Sequence, residues 1–321
     1  PLRDSHIGVY SYSLDLYYPP ISWELIEDKL IVTNVLDTTL VIKPGDIITK
    51  INGKSWKNHW NESYKRASGA TETRRNYRNI EESLAGSENS NLTIEVSSSI
   101  EKITLTRTLI EGIYDRILSK KVMAYKEIEP DIFYANLSRM SWQQLMEKLP
   151  EIVKAKGVVF DLRGYPRGGV MNLLSHITKD SIQLHQSFTP KMIYPDELGS
   201  SFLKLDQRSI APAEPYINTK KVFLINGAAI SYSESFLIPI EYYGLADIVG
   251  ESTGGSTGNT NNIYLFGDIV IPWTGRKVIR QDESVFHGRG VLPNHPVNKT
   301  ILGIKEGKDE YLEYALKLIK G

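Results

Sequence analysis

The feature that most constrains this sequence is a pair of continuous apolar runs, each followed by a turn of small residues and a helical pattern. The runs are VVFDL at 158–162 and VFLIN at 222–226. The first leads into RGYPRGG and then VMNLLSHITKD, and the second leads into GAAIS and a further helix. Apolar strands without alternation are typical of a parallel sheet covered by helices on both faces. We therefore predict an α/β domain in the second part of the chain.

The first part of the chain has a different pattern. An alternating, Tyr-rich strand is predicted at 7–18, and a strand-rich module follows over 28–112, with turn signals at Pro44-Gly45-Asp46 and Asn52-Gly53. A helical pattern interrupts this module at 73–86. Because a chain of 321 residues exceeds the usual size of a single core, we expect two domains. The predicted divisions are an N-terminal strand segment at 1–27, a small β-rich domain at 28–112 and the α/β domain at 113–321.

Composition excludes several functions. Lys plus Arg and Asp plus Glu number 38 each, and no basic cluster offsets that balance, so nucleic acid is not an expected partner. The chain has no cysteine, which excludes thiolate catalysis and disulfides. No motif for a metal or a phosphate-bearing cofactor is present, and we expect neither. No apolar run is long enough for a membrane span. The chain begins without Met or an apolar leader, so we expect that upstream sequence, including any export signal, has been removed.

Four motifs, in a consistent order, carry a resemblance to a known family. They are KPGDIITKINGKSW at 43–56, GVVFDLRGYPRGG at 157–169, LINGAAISYSES at 224–235, and the pair VGESTGGSTGN at 249–259 and HGRGVLPNHPV at 287–297. Together they resemble the C-terminal-processing and tricorn-like serine peptidases. The resemblance implies a ClpP/crotonase-like α/β catalytic domain preceded by a PDZ-like domain.

The resemblance also implies an activity and a setting. The activity is that of a serine endopeptidase that hydrolyses peptide bonds through an acyl-enzyme, with processing of protein C-termini as one candidate role. The implied partner is a peptide or an unfolded protein, and self-association is left open. The implied location is the periplasm or cell envelope of a bacterium.

The nucleophile segment of the family aligns with Ser231. A serine at a strand-to-helix turn lies at the N-terminus of the helix, where unpaired N–H groups stabilise an oxyanion. On the family pattern Tyr232 supplies one of these N–H groups. The glycine-rich loop supplies the other, with Gly168 the first candidate and Gly164 and Gly169 close alternatives. The competing interpretation is that Ser231 only caps the helix.

A serine hydroxyl needs a base beside it. Many family members use a Lys that aligns here with Ser256, and no Lys occurs between Lys221 and Lys277. The tricorn-like branch instead uses a His in a Ser-His pair ahead of the PDZ module, and this chain has Ser5-His6 at that place. His6 is therefore the predicted general base, and Ser5 is predicted to orient it.

The acidic member of the family's catalytic set is missing from its usual position. His287 stands there and is itself a candidate orienting partner; the carboxylate either comes from Asp282 or Glu283 just upstream or is absent. The remaining histidines are expected to be structural.

Two other functions stay open at this stage. The first is a non-catalytic relative that binds peptides, because positions 256 and 287 depart from the family pattern. The second is a crotonase-like acyl-group enzyme that shares the α/β superhelix. The usual carboxylate-binding loop of a PDZ module is also not visible, because ISWELIEDKL occupies its position.

Overall fold

The computed structural model describes residues 2–11, 15–120, 122–192, 194, 196 and 198–321. The first part of the chain is mostly β-structure with three helices. Its strands are β1 (Tyr10–Ser11), β2 (Tyr17–Tyr18), β3 (Ile21–Ile26), β4 (Lys29–Val35), β5 (Ile47–Ile51), β6 (Lys54–Ser55), β7 (Asn91–Val96), β8 (Ile103–Thr106) and β9 (Leu109–Ile110). Its helices are α1 (Trp56–Tyr64), α2 (Glu72–Leu84) and α3 (Glu111–Lys120).

An antiparallel sheet in the order β3-β4-β5-β7-β8 organises this part, with β6 paired to β5. Strands β7 and β8 alternate buried and more exposed side chains, whereas β3 and β4 bury consecutive residues. One face therefore buries an apolar core that includes Trp23, Leu30, Ile48 and Leu92, each 0% exposed. Strand β3 lies entirely before residue 28, the predicted start of the β-rich domain, yet it is hydrogen-bonded to β4 along its whole length.

The second part of the chain alternates strands and helices. Its strands are β10 (Tyr125–Glu129), β11 (Ile132–Asn136), β12 (Gly157–Asp161), β13 (Ile182–Gln183), β14 (Gln186–Lys191), β15 (Ser201–Lys204), β16 (Ser209–Ile210), β17 (Lys220–Ile225), β18 (Asp247–Gly250), β19 (Thr260–Leu265), β20 (Ile269–Thr274), β21 (Lys277–Ile279) and β22 (His295–Pro296). Its helices are α4 (Trp142–Ile152), α5 (Leu173–Ile177), preceded by a 3₁₀ turn at Val170–Asn172, α6 (Tyr232–Tyr243), α7 (Ile301–Glu306) and α8 (Glu310–Lys320).

The predicted parallel sheet is present. It has the order β10-β11-β12-β17-β18-β22, and only β10 is antiparallel to its neighbour. The two apolar runs form β12 and β17, which are adjacent at the centre of the sheet. Every residue of β12 is buried, which explains the absence of alternation in its sequence.

Some element boundaries differ from the sequence predictions. The predicted strand at 7–18 contains β1 and β2 as two short strands, and residues 12–14 lie outside the described residues. Ser141 caps α4 as predicted, but the helix ends at Ile152 because the chain turns there before β12. Gly86 does not cap α2; its N–H and C=O pair instead with Tyr17 in a β-bridge.

A small sheet in the order β1-β20-β19 brings the beginning of the chain onto the second part. Tyr10 pairs with Val270, and Ser11 pairs with Ile269. This pairing joins residues about 260 positions apart and places the segment before Tyr10 beside the end of β20. Within the described part of the chain, no helix combines the length and the apolar character that crossing a membrane requires.

Candidate active site

Ser231 occupies a sharp turn between β17 and α6. Its backbone has φ 56° and ψ −110°, a conformation that is strained for any residue with a Cβ and that recurs at functional sites. The Ser231 N–H donates to the Ser256 carbonyl at 3.0 Å and to Glu234 Oε2 at 3.1 Å. The turn therefore holds a half-buried serine at the N-terminus of a helix, as the sequence predicted.

Glu234 fixes this turn from inside the protein. Its fully buried carboxylate also accepts hydrogen bonds from Thr253 Oγ1 at 2.5 Å, Gly255 N–H at 2.6 Å and Ser256 N–H at 3.0 Å. Burial raises the pKa of Glu234 to about 7, while these donors act in the opposite direction. Glu234 therefore joins the Ser231 turn to the segment 253–256.

The glycine-rich loop after β12 lies against the first turn of α6. Ser233 Oγ donates to the Gly164 carbonyl at 2.9 Å, and the rings of Tyr165 and Tyr232 are 6.3 Å apart. A Cβ at Gly168 would meet nothing within 4 Å, so the backbone there faces open space. Gly169 has φ 91°, and a Cβ there would clash with the Trp142 side chain at 2.6 Å. The structure thus brings Gly164 and Tyr165 of this loop to the N-terminal end of α6.

The loop begins at a buried arginine. The Arg163 guanidinium donates to Asp161 at 2.6 Å and to both carboxylate oxygens of Asp309 at 2.8 and 2.7 Å. Burial acts to lower the pKa of Arg163, but the two carboxylates outweigh it and hold the guanidinium charged. This network ties the start of the loop to α8.

Ser5 connects the N-terminal segment to both parts of the chain. Its N–H donates to Ser256 Oγ at 2.9 Å, its hydroxyl donates to the Gly254 carbonyl, and the Ala70 N–H donates to that hydroxyl at 3.1 Å. Ser256, which occupies the family's lysine position, is therefore bonded to the His6 segment through its side chain and to Ser231 through its carbonyl. Ser5 therefore holds the backbone beside His6, and within the described residues it makes no hydrogen bond to the imidazole.

The His6 ring is buried and uses only one nitrogen within the protein. Nδ1 lies 2.7 Å from Thr274 Oγ1 and 3.7 Å from Asp4 Oδ1. Nε2 is buried and has no hydrogen-bond partner among the residues that the structure describes, Ser231 included. Burial lowers the pKa of His6, Arg74 and His287 lower it further, and Asp4 opposes them. The neutral imidazole is therefore favoured.

The residues predicted to supply the acidic partner make other contacts. Asp282 Oδ1 accepts from Ser284 and lies 3.8 Å from the Arg280 guanidinium, and Glu283 is an exposed turn residue with φ 66°. His287 Nε2 pairs with the Arg3 carbonyl at 2.6 Å. The carboxylate next to His6 is Asp4, which sequence reasoning missed although it stands two positions before His6 in the same motif.

Three of the other histidines pair with groups outside this site. His59 pairs with the Ser83 carbonyl, His176 pairs with the Pro215 carbonyl, and His295 pairs with Asp247. Burial lowers the pKa of His185 to about 4.

The α/β fold and a strained serine at a helix N-terminus define a serine-type peptidase. A family model described as Peptidase family S41 matches residues 131–297, just over half of the chain. The chain therefore belongs to peptidase family S41, and the resemblance to C-terminal-processing and tricorn-like peptidases is confirmed. It is a serine endopeptidase, which acts on peptide or protein substrates.

Solved structures share the fold at low sequence identity. Mature CPAF complexed with lactacystin is 13% identical, covers 99% of this chain and 85% of its own, and has a TM-score of 0.74. A putative peptidase from Parabacteroides merdae ATCC 43184 is 17% identical; the match covers 73% of this chain and 78% of that protein, with a TM-score of 0.53. The photosystem II D1 C-terminal processing protease is 13% identical; the match covers 99% of this chain and 83% of that protein, with a TM-score of 0.50. No curated protein matches the sequence.

Proposed function

We propose that this peptidase works with Ser231 as its nucleophile and His6 as its general base. The observation that carries the proposal is the unpartnered Nε2 of the buried His6, on a segment bonded through Ser256 to the Ser231 turn. A buried nitrogen without a partner carries a desolvation cost, and catalytic sites are one of the places where such groups occur. Catalytic hydrogen bonds are often long in unliganded enzymes and shorten when substrate binds, which fits an Nε2 that is still free.

The reaction follows from these positions. The Ser231 hydroxyl attacks the scissile carbonyl while His6 Nε2 takes its proton, and the same proton then passes to the leaving amine. The product of this first stage is an acyl-enzyme. Water, deprotonated by Nε2, attacks the ester, and the proton returns to Ser231 Oγ as the acid product leaves.

The developing oxyanion is assigned to two backbone N–H groups. Tyr232 N–H lies at the first position of α6, where helix geometry leaves it without an internal acceptor. Gly168 is the preferred second donor because no side chain covers its backbone, with Gly164 and Gly169 as alternatives on the same loop. Such donors, fixed before reaction, stabilise charge only as it forms.

The division of labour between two domains belongs to the same proposal. Residues 113–321 form a ClpP/crotonase-like catalytic domain, residues 28–112 form a PDZ-like domain, and residues 1–27 carry the base between them. The antiparallel sheet supports the PDZ-like assignment: its edge strand β3, at Ile21–Ile26 just before the proposed boundary at residue 28, contacts α2, and such modules add a peptide at a sheet edge. Capture of protein C-termini and an exported, envelope-associated location are further parts of the proposal that come from the family resemblance.

A serine-reactive fluorophosphonate probe tests the nucleophile. We expect the full chain to be labelled once, and labelling to be lost in Ser231→Ala and reduced in His6→Ala. Ser98→Ala is the matched control, because Ser98 is an exposed serine remote from α6, and it should label normally. Labelling that persists in Ser231→Ala contradicts the assignment. An unlabelled wild-type chain supports the peptide-binding alternative, and hydrolysis of acyl-CoA supports the crotonase-like one.

A further inference from the structure

Thr274, the last residue of β20, lies between the His6 imidazole and the Asp4 carboxylate. Its hydroxyl is 2.7 Å from His6 Nδ1 and donates to Asp4 Oδ1 at 2.6 Å. Its backbone N–H donates to Asp4 Oδ2 at 2.8 Å. Asp4 Oδ1 also accepts the His6 backbone N–H at 3.0 Å. The three residues therefore form one connected hydrogen-bond network.

The direction of each bond follows from donor counting. A carboxylate can only accept, and a threonine hydroxyl has one proton to donate. Burial acts to raise the pKa of Asp4, but the bonds from Thr274 and His6 outweigh it and lower the pKa, so Asp4 is ionised. The Thr274 proton is thus committed to Asp4, and Thr274 Oγ1 must accept from His6. Nδ1 then carries the imidazole proton, and Nε2 carries the lone pair.

We propose that Thr274 and Asp4 are positioning residues that hold His6 in the tautomer required of a base, through the relay Nδ1–H to Thr274 Oγ1–H to Asp4. This inference rests on the proposed role of His6. In this relay, Thr274 and Asp4 take the place of the acidic residue that the family pattern has at position 287, where this chain has a histidine. The carboxylate comes instead from the N-terminal segment, two residues before the base, with a hydroxyl between the two groups.

The rest of the fold keeps the relay in place. The pairing of β1 with β20 aligns the N-terminal segment with the hairpin strand that ends at Thr274. Among the described residues, Asp4 is the carboxylate that favours the protonated form of His6, whereas Arg74 from α2 and His287 both disfavour it. Asp4 is therefore the charge that stabilises the imidazolium formed when Ser231 gives up its proton.

Three substitutions and one spectroscopic measurement test the relay. Thr274→Val removes the hydroxyl but keeps the shape, and should lower kcat on the order of 10²-fold with little change in KM. Thr274→Ser restores the hydroxyl and should stay within a few-fold of wild type. Asp4→Asn should lower kcat at least as far as Thr274→Val and by no more than about 10⁴-fold, the cost of a misoriented catalytic histidine. The double variant should be no slower than Asp4→Asn alone.

The matched control is Thr260→Val, because Thr260 is the exposed residue directly opposite Thr274 in the hairpin. It should leave kcat unchanged. Thr274→Ser as slow as Thr274→Val, or Thr274→Val as fast as wild type, overturns the relay.

Nitrogen-15 NMR of the wild-type imidazole tests the tautomer directly, and we expect His6 to carry its proton on Nδ1. The same measurement on Thr274→Val should show a shift toward the Nε2–H tautomer. A wild-type Nε2–H tautomer overturns the proposal even if Thr274→Val fails to fold. The proposed function fails separately: His6→Ala with full peptidase activity removes the base assignment, whereas the tautomer result reports on the relay alone.

Discussion

The His6 imidazole lies in surroundings that favour its neutral form. Burial is the largest cause, Arg74 and His287 add to it, and the Asp4 carboxylate opposes it, so the pKa of His6 lies below its ordinary value of 6.5. A general base is active only when it is unprotonated. We therefore expect kcat/KM for a fluorogenic peptide to stay constant as pH falls to 6.5, and to decline only at lower pH.

Two substitutions beside His6 should move its pKa, and with it the acidic limb of the pH profile, in opposite directions. His287→Gln removes a group that lowers the pKa of His6 and should move the acidic limb to slightly higher pH. Asp4→Asn removes the opposite charge and should move it to lower pH. An acidic limb at or above pH 6.5 in the wild type would show that Asp4 outweighs burial.

At the scale of single elements, α6 depends on a carboxylate that is completely buried. Glu234→Gln keeps the shape but replaces one acceptor oxygen with an NH₂ group that faces two of the four donors. Unsatisfied buried donors cost about 1–3 kcal/mol each, so for two donors we expect a loss of about 2–6 kcal/mol in the free energy of unfolding at pH 5. Urea denaturation measures it, with Glu147→Gln on the exposed face of α4 as the control.

The pH dependence of that loss has a definite sign. The pKa of Glu234 rises from 4.5 in the unfolded chain to about 7 in the fold. Its contribution is fully present below pH 4.5 and is lost as pH rises through 7. The difference between wild type and Glu234→Gln should therefore shrink between pH 4.5 and 7. A difference that grows over that window would mean that the four donors outweigh burial.

The local elements were the part that sequence could predict. The apolar runs, the Ser141 cap and the serine turn each depend on neighbours within a few residues, so their patterns are visible in the chain. Asp4 and Thr274 could not be paired in this way, because they are 270 positions apart and meet only through the β1–β20 pairing. The proposed acidic partner could not be found by alignment for the same reason, because Asp4 lies on a different segment from position 287.

At the scale of the whole molecule, the two parts of the chain meet beside the catalytic turn. Thr71 Oγ1 donates to the Thr253 carbonyl at 2.8 Å, and Thr73 Oγ1 donates to the Ser252 carbonyl at 2.9 Å. Arg74, on the same turn of α2, donates to the Gly227 carbonyl at 3.3 Å. These bonds join the N-terminus of α2 to the loops on both sides of Ser231, and Ser5 bridges the same two parts.

Gly227 gives the means to test whether that junction matters for activity. A Cβ at this position would lie 2.4 Å from the Thr73 carbonyl oxygen and 3.0 Å from the Arg74 nitrogen, which are backbone atoms that cannot rotate away. Gly227→Ala must therefore move the start of α2, at a cost of about 1–3 kcal/mol in unfolding free energy. Because Ala70 and Gly254 hold the His6 segment across the same junction, we expect kcat to fall at least about 10-fold as well.

Gly112→Ala is the matched control, because a Cβ on that exposed residue of α3 meets nothing within 4 Å. It should leave kcat unchanged and stabilise the chain by a few tenths to about 1 kcal/mol, as replacement of a helical glycine does. Urea denaturation and peptide turnover, measured on both variants, separate two cases. If Gly227→Ala loses stability but keeps its kcat, the junction only supports the fold. If kcat falls while the fluorophosphonate still labels Ser231 slowly, displacement of the base segment accounts for the loss, because the nucleophile itself has remained in place.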